Sequence, residues 1–334
     1  MALEILKKII KKAYEPVLAE AEAFAPVNIA LSKYWGKRQA TLNLPYNSSV
    51  SMSLDLGAKT KVSATSATSA DLIIINNKVL EKHQKISQFL DLFRPHADFY
   101  FKIESQSEVP VAAGFASSAS GYAALVLALN RFFGWHLEGP ALSVLARLGS
   151  GSACRSIYSG FVLWERGRDD ELGLDSFAKP LNIDWPELKL GLCISTASEK
   201  YLDSRTAMQH CAATSPLFPG WVQACETDCS NTVQALLNKD FEQLGRLVEA
   251  NALMMHAVMQ ASRPAIIYSD ANTLNLIHRV RKLREEGLQI YFTQDAGPNL
   301  KLLFLEQDTQ AVTKAFNDWK LIVCKNQSHK NPLF

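Results

Sequence analysis

From Val109 to Asn130 the chain runs for 22 residues without a formal charge. That is long enough for a helix to span a bilayer. Its first half argues otherwise, because Pro110, Gly114, Ser117, Ser118, Ser120 and Gly121 are polar or poor in helix propensity. No spanning helix is expected. The segment instead predicts a small-residue loop over 109–116 running into a buried helix from Ser117 to Phe133. A buried helix needs a sizeable core, and 334 residues with 48% hydrophobic and 20% charged content can supply one large domain or two medium ones. Lys and Arg total 35 against 33 Asp and Glu. So balanced a charge argues against a dedicated nucleic-acid binder. The 16 Gly, 6 Cys and high apolar content exclude collagen-like, disordered and disulfide-scaffold classes.

The cysteines (Cys154, Cys193, Cys211, Cys225, Cys229 and Cys324) form no CxxC pair, and no His-Cys group has zinc spacing. No metal ligand is legible. Dispersed thiols without a secretory signal lead to the expectation of a reducing, cytoplasmic setting. Met1 to Lys12 reads as a basic amphipathic helix, with Lys7, Lys8, Lys11 and Lys12 between Leu3, Ile5, Leu6, Ile9 and Ile10. Packing against the protein is the favoured use of that stripe, and lying on a membrane surface is the alternative.

Residues 23–75 read mostly as strands, followed by a helix near Lys82 to Phe93 and a strand at Phe99 to Glu104. After the long apolar helix, a second is expected from Pro140 to Leu148, then a flexible loop at Gly149 to Ser152 and a strand at Gly160 to Trp164. The polar stretch Gly167 to Pro186 is the candidate boundary. Beyond it come a strand at Lys189 to Ile194, a polar loop at Ser195 to Arg205, three helices between Gly220 and Glu286, and strands at Gln289 to Thr293 and Lys301 to Leu305. The expected class is α+β in two lobes, with an N-terminal extension at 1–22 and domains at 23–186 and 187–328.

The small-residue loop carries the first chemical signal. Small side chains let backbone N–H groups approach a polyanion, and the following helix offers the positive end of its dipole. Composition alone leaves two uses open, a phosphate cradle and a close-packing contact. Walker A and GxGxxG spacings are both absent. The pattern formed by Pro110, Gly114, Phe115, Ser117, Ser118 and Ala119 resembles the phosphate motif of the GHMP kinases, a superfamily acting on galactose, homoserine, mevalonate and phosphomevalonate.

Three further segments narrow the resemblance. They are Ala25 to Arg38 with Leu44 to Ser51, Gly149 to Ser156, and Thr293 to Asn299. Together with the phosphate loop they are similar, in order from Phe24 to Leu305, to the diphosphomevalonate decarboxylase family. The resemblance implies a two-lobed GHMP-type α+β fold with its site in the cleft between lobes, a homodimer, and ATP with Mg²⁺ as cofactors. It implies ATP-dependent decarboxylation of mevalonate 5-diphosphate. Asp295 would then lie at the tertiary C3 hydroxyl with Lys33 beside it, Arg155 would face the C1 carboxylate, and Asn28 would help position the C3 end and Arg155. Tyr34, Trp35, Gly36, Lys37, Lys85, Ser204 and Arg205 would serve the diphosphate end. Ser150, Gly151, Ser152, Ala153 and Cys154 would wrap the substrate. Gly114, Ser117, Ser118 and Lys200 would contact the nucleotide.

The residues fit that chemistry on their own terms. A substrate with a carboxylate and a diphosphate needs several cations in one cleft, and Lys33, Lys37, Arg155 and Arg205 can supply them. Four departures from the family pattern stand out: Ser32 for an apolar residue, Gln294 for Phe, Lys85 for Arg and Asp203 for Ser. Other readings are a mevalonate 5-phosphate decarboxylase, a GHMP small-molecule kinase stopping at the 3-phosphate, and a silent metabolite-binding protein.

Overall fold

The computed structural model describes residues 1–12, 14–65, 70–108, 117–169, 171–194 and 202–327. The first part of the chain carries α1 (Ala2–Ile9), β1 (Glu20–Ser32), β2 (Lys37–Gln39), β3 (Leu44–Pro45), β4 (Ser49–Thr65), β5 (Leu72–Ile75) and β6 (Lys78–Val79). It continues with α2 (Gln84–Leu90), β7 (Tyr100–Ser107), α3 (Ser117–Phe132), α4 (Gly139–Gly149), a 3₁₀ segment (Gly151–Ile157), β8 (Phe161–Trp164) and β9 (Ala178–Pro180). The second part carries β10 (Leu188–Ile194), α5 (Ser204–Thr214), α6 (Phe218–Asn238), α7 (Phe241–Gln260), α8 (Ala271–Glu285), β11 (Ile290–Gln294), β12 (Leu300–Leu305), α9 (Thr309–Ala315) and β13 (Lys320–Lys325).

Each part builds one main sheet. The first runs β6-β5-β7-β4-β8-β9 with β1 also on β4 and is antiparallel except for β5 on β7, and the second runs β11-β12-β10-β13 and is antiparallel throughout. Strand β4 is the spine of the first sheet. Its Ser49–Met52 end pairs with β8, its Ala58–Thr65 end pairs with β7, and β1 follows it throughout. Two register shifts in β1, at Pro26/Asn28 and Ala30/Ser32, re-aim its side chains. Helix α3 lies on β1 and β4 with Ala123, Ala124, Leu127 and Ala128 buried, as its uncharged run up to Asn130 demands.

The α+β architecture in two parts is present, and the parts share an apolar core. Ile29, Leu31 and Met52 of the first sheet bury against Leu190, Leu192 and Leu236 of the second part, each contributing about 1.5–3 kcal/mol of burial. The boundary stretch is packed into the same core through Ile183 and Trp185. Helix α1 buries Ile5, Leu6 and Ile10 and leaves Lys7, Lys8, Lys11 and Lys12 in solvent. Its stripe is therefore used within the protein. No helix among the described residues is long and apolar enough to cross a membrane.

Three readings of the sequence need correction. Gly149 to Ser152 is not a flexible loop: Gly149 ends α4 and Gly151 opens a buried 3₁₀ segment. The polar loop ends earlier than expected, because Asp203 accepts hydrogen bonds from the Arg205 and Thr206 amides and starts α5 at Ser204. Helix α9 and strand β13 were not foreseen. The half-exposed burial pattern of β13 explains its weak signal.

Candidate active site

A cleft of about 1130 Å³ is lined by both parts of the chain. Among its described lining residues, Lys33, Lys37, Lys82, Lys85, Arg155 and Arg205 face only Asp203 and Asp295. Such a surplus of positive charge in a concave site favours an anionic ligand.

Asp295 sits at the centre, in the hairpin between β11 and β12. Gln294 donates its side-chain amide to the Gly297 carbonyl at 2.9 Å. Thr273, inside the capping box of α8, donates to the Pro298 carbonyl at 2.8 Å. These two bonds fix the turn. The Asp295 carboxylate meets Lys33 Nζ at 2.6 Å through Oδ1 and Lys301 Nζ at 3.1 Å through Oδ2. Its side chain keeps 27% exposure, against 2% for Lys33 and 1% for Lys301, so the open edge of the carboxylate belongs to the cleft. Burial alone would push this carboxyl up, but Lys301 and Lys33 outweigh it and hold it well below the usual carboxylate range. His256 donates from Nε2 to the Asp295 carbonyl at 3.1 Å. Burial holds its imidazole down to about 4, and thus neutral.

Lys33 is held as firmly. Its N–H donates to Asn251 Oδ1 at 2.8 Å, its carbonyl accepts from Asn47 Nδ2 at 2.7 Å, and its ammonium also reaches the Ala30 carbonyl at 2.9 Å. Burial lowers its pKa to about 8 against the opposing pull of Asp295. Asn251 lies on α7, so the second part of the chain pins the residue that directly follows β1 in the first.

Arg155 comes from the 3₁₀ segment. Its Nε donates to Asn28 Oδ1 at 3.1 Å and its Nη1 to Ser49 Oγ at 2.6 Å. Asn28 in turn donates to the Ser152 carbonyl and Ser156 Oγ. Positions i and i+3 eclipse in a 3₁₀ helix, which puts Ser152 and Arg155 on the cleft face beside Ser150 and Gly151. A Cβ on Gly151 would stand 2.7 Å from the Tyr34 hydroxyl, so only glycine fits there. Ala153 and Cys154 turn away and are fully buried in apolar clusters. They do not line the cleft, contrary to the sequence reading.

Tyr34, Trp35 and Lys37 line the cleft. The buried Tyr34 hydroxyl has no hydrogen-bond partner among the described residues. Trp35 is anchored by Trp221 Nε1, which donates to its carbonyl at 3.1 Å. Gly36 does not line the cleft. At φ +101° it makes the turn, and a Cβ there would meet the Phe218 ring at 2.4 Å. Lys37 donates to Asn43 Oδ1 at 2.6 Å, and burial with neighbouring Arg205 lowers its pKa to about 8. Lys85, Ser204 and Arg205 also line the cleft, together with Asp203. Asp203 is the helix cap described above and also feels the positive charge of Lys85. The buried Ser32 hydroxyl faces the Cys229 thiol.

Ser118 lines the cleft at the start of α3. Gly114, Lys200 and the Ser117 side chain lie outside the described residues. Sequence reasoning missed Lys301, His256 and Asn251. The first had a signal: it is the only charge in the otherwise apolar run Leu300 to Leu305.

A family model described as the diphosphomevalonate decarboxylase-like N-terminal domain matches residues 25–178, and one for the mevalonate 5-diphosphate decarboxylase C-terminal domain matches 191–331. The diphosphomevalonate decarboxylase of Debaryomyces hansenii is 35% identical over 316 residues, covering 87% of this chain and 80% of that protein. The crystal structure of mevalonate diphosphate decarboxylase from Staphylococcus aureus superposes with a TM-score of 0.87 at 36% identity, over 93% of this chain and 96% of that one. A mevalonate diphosphate decarboxylase structure from Enterococcus faecalis, described for its mevalonate diphosphate mediated ATP binding, gives a TM-score of 0.84 at 37% identity over 93% and 98%. Matched over both halves by family models and at 35% identity by a curated relative, the chain whose cleft gathers Asp295, Lys33 and Arg155 belongs to the diphosphomevalonate decarboxylase family.

Proposed function

We propose that this chain uses ATP to convert mevalonate 5-diphosphate into isopentenyl diphosphate, releasing ADP, phosphate and CO₂ through a transient 3-phosphate. One observation carries the reading: the open edge of Asp295 shares a single cleft with Arg155 and with Lys37, Lys85 and Arg205. A small molecule with two anionic ends and a reactive centre between them suits such a surplus of positive charge around one carboxylate.

Arg155, already oriented by Asn28 and Ser49, takes the C1 carboxylate on its remaining guanidinium face. Lys37, Lys85, Arg205 and the first turn of α5 hold the diphosphate. Ile73, Ile75, Leu80 and Ile103 form an apolar groove in the same cleft that suits an adenine ring. Ser118, at the N-terminus of α3, lines the same cleft, where phosphates would follow, and the resemblance assigns Gly114, Ser117 and Lys200 to the same contact set.

A tertiary alcohol is a poor nucleophile and hydroxide a poor leaving group, so phosphorylation makes the C3 oxygen able to leave. Asp295 accepts the hydrogen bond of the C3 hydroxyl and aims its oxygen at the γ-phosphate. Being held ionised by two lysines, it also stabilises the positive charge that develops at C3 as phosphate departs. Loss of CO₂ from C1 supplies the electrons for the double bond. Mg²⁺ accompanies the nucleotide and, when bound, neutralises phosphate charge. Among the described residues no group of three His, Cys, Asp or Glu could cage a metal, which suits an ion held through phosphate oxygens and water. A cytoplasmic homodimer, as the resemblance implies, completes the reading, and the six free, buried cysteines fit a reducing setting.

The test is CO₂ release from mevalonate 5-diphosphate with ATP. Release matched by equal ADP and phosphate is expected. Phosphorylation without CO₂, or faster turnover of mevalonate 5-phosphate, would overturn the reading. A second expectation concerns pH. Lys33 and Lys37, both lowered to about 8, must be protonated to serve anions. The free-enzyme profile of kcat/KM is therefore expected to fall above about pH 8, and a flat profile up to about pH 10 would contradict it.

A further inference from the structure

We propose that Lys301 is a positioning residue for the decarboxylation: it fastens the second oxygen of Asp295, so that the carboxylate is clasped at both ends and presents one fixed edge to the substrate. The proposal rests on the functional reading above. Lys301 is 1% exposed and does not line the cleft, so it acts through Asp295 and does not touch the substrate.

The geometry carries the inference. A carboxylate has about four lone-pair sites. Lys33 takes one on Oδ1 and Lys301 takes one on Oδ2, which leaves the remaining sites for the cleft. With Lys33 alone, the group could rotate about its terminal bond and still keep one contact. The second ammonium removes that freedom. Register explains why Lys301 can do this. It pairs with Thr293 across the hairpin, two positions before Asp295, and its side chain doubles back toward the turn. Its Nζ also donates to the Asn299 carbonyl at 3.2 Å, which ties it to the far end of the same turn.

A buried lysine in an apolar strand is costly unless paired, and a purely structural need at this place would be met by Leu or Met. Among the described residues, the charged groups facing Asp295 are Lys33 just after β1, Arg155 from the 3₁₀ segment and Lys301 from β12, while His256 from α7 faces its backbone. Lys301 also acts on Lys33, where its charge works against protonation. Removing it should therefore shift both titrations in one direction. The Asp295 carboxylate loses a counter-charge and its titration rises. The Lys33 ammonium loses a like charge and its titration rises too.

The experiment compares Lys301→Met and Lys301→Arg with the unaltered protein. For Lys301→Met, kcat is expected to fall on the order of 10- to 100-fold, the range a small misplacement of a reacting group brings, with KM for mevalonate 5-diphosphate little changed. The Lys33 titration is expected to move to higher pH, whereas Lys37, also lowered to about 8, keeps the alkaline limb of kcat/KM in place. Lys301→Arg restores the charge and should return the Lys33 titration to its original place. A merely structural lysine would lower the melting temperature and leave that titration where it was. An unmoved Lys33 titration in Lys301→Met, or no return in Lys301→Arg, overturns the proposal. Should Lys301→Met not fold, Lys301→Gln is read against the same outcomes, and failure of both to fold assigns Lys301 to stability and overturns it. The Lys33 titration, followed by NMR in ¹³C-lysine-labelled protein and assigned with Lys33→Arg, needs no turnover. It separates failure here from failure of the decarboxylase reading, which shows as an inactive unaltered protein.

Discussion

Replacing Asp295 with Asn is expected to lower kcat by roughly 10³- to 10⁴-fold, the combined range for losing a positioned acid–base or charge-stabilising group. The amide has the shape of the carboxylate but no charge, so it neither aims the C3 hydroxyl strongly nor stabilises a positive centre at C3. Its effect on the fold is limited by the lysines. Lys33 is already lowered to about 8 with Asp295 present, and without that partner it sheds its proton more readily, which spares the interior an unpaired charge. In the variant the folded state binds fewer protons than the unfolded one between the lowered Lys33 value and the ordinary value of 10.5. Stability should therefore rise with pH across that window. Steady-state kinetics with thermal unfolding at two pH values check both statements. A variant with near-normal kcat would remove Asp295 from the chemistry.

Arg155→Met is the second large effect. The guanidinium is 3% exposed and bridges Asn28 and Ser49. Truncating it leaves both partners unsatisfied and the C1 carboxylate ungripped. Losing one member of a buried charged hydrogen-bond set costs about 2–5 kcal/mol, so kcat/KM should fall by roughly 10²- to 10³-fold, with KM taking a clear share. Arg155→Lys should recover little, because a point charge cannot donate to Asn28, Ser49 and a carboxylate in one plane. Kinetics on both variants test this, and full rescue by Lys would show that only charge matters at this position.

Much of the site was legible because its chemistry is concentrated in short, unusual runs. Asp295, Lys33, Arg155 and Asn28 stand in such runs, and in the structure they form two hydrogen-bonded pairs, Asp295 with Lys33 and Arg155 with Asn28, that line one cleft. The long helices were legible for a related reason: apolar periodicity over some twenty residues leaves few other folds. What escaped notice depends on partners distant in sequence. Asn251 is an ordinary helix residue until α7 brings it to the Lys33 amide, 218 positions away. Gln294 differs from the aromatic residue expected there, yet its amide closes the turn that presents Asp295.

Ala153, Cys154 and Gly36 show the opposite error. Each sits in a run that carries the resemblance, but their place there is steric. Ala153 and Cys154 fill the buried side of the 3₁₀ segment, and Gly36 clears space for the Phe218 ring. Motif membership marks a segment as important without saying which face of it meets the ligand. Asp203 is similar, since a negative charge near an anion site becomes intelligible once it caps α5.

The most direct measurement is a crystal structure with mevalonate 5-diphosphate and a non-hydrolysable ATP analogue. The C3 hydroxyl is expected about 2.6–3.2 Å from the open edge of Asp295, with the C1 carboxylate on Arg155 and the diphosphate among Lys37, Lys85 and Arg205. A substrate bound with its carboxylate turned from Arg155, or with C3 beyond reach of Asp295 even through one water, would contradict the mechanism.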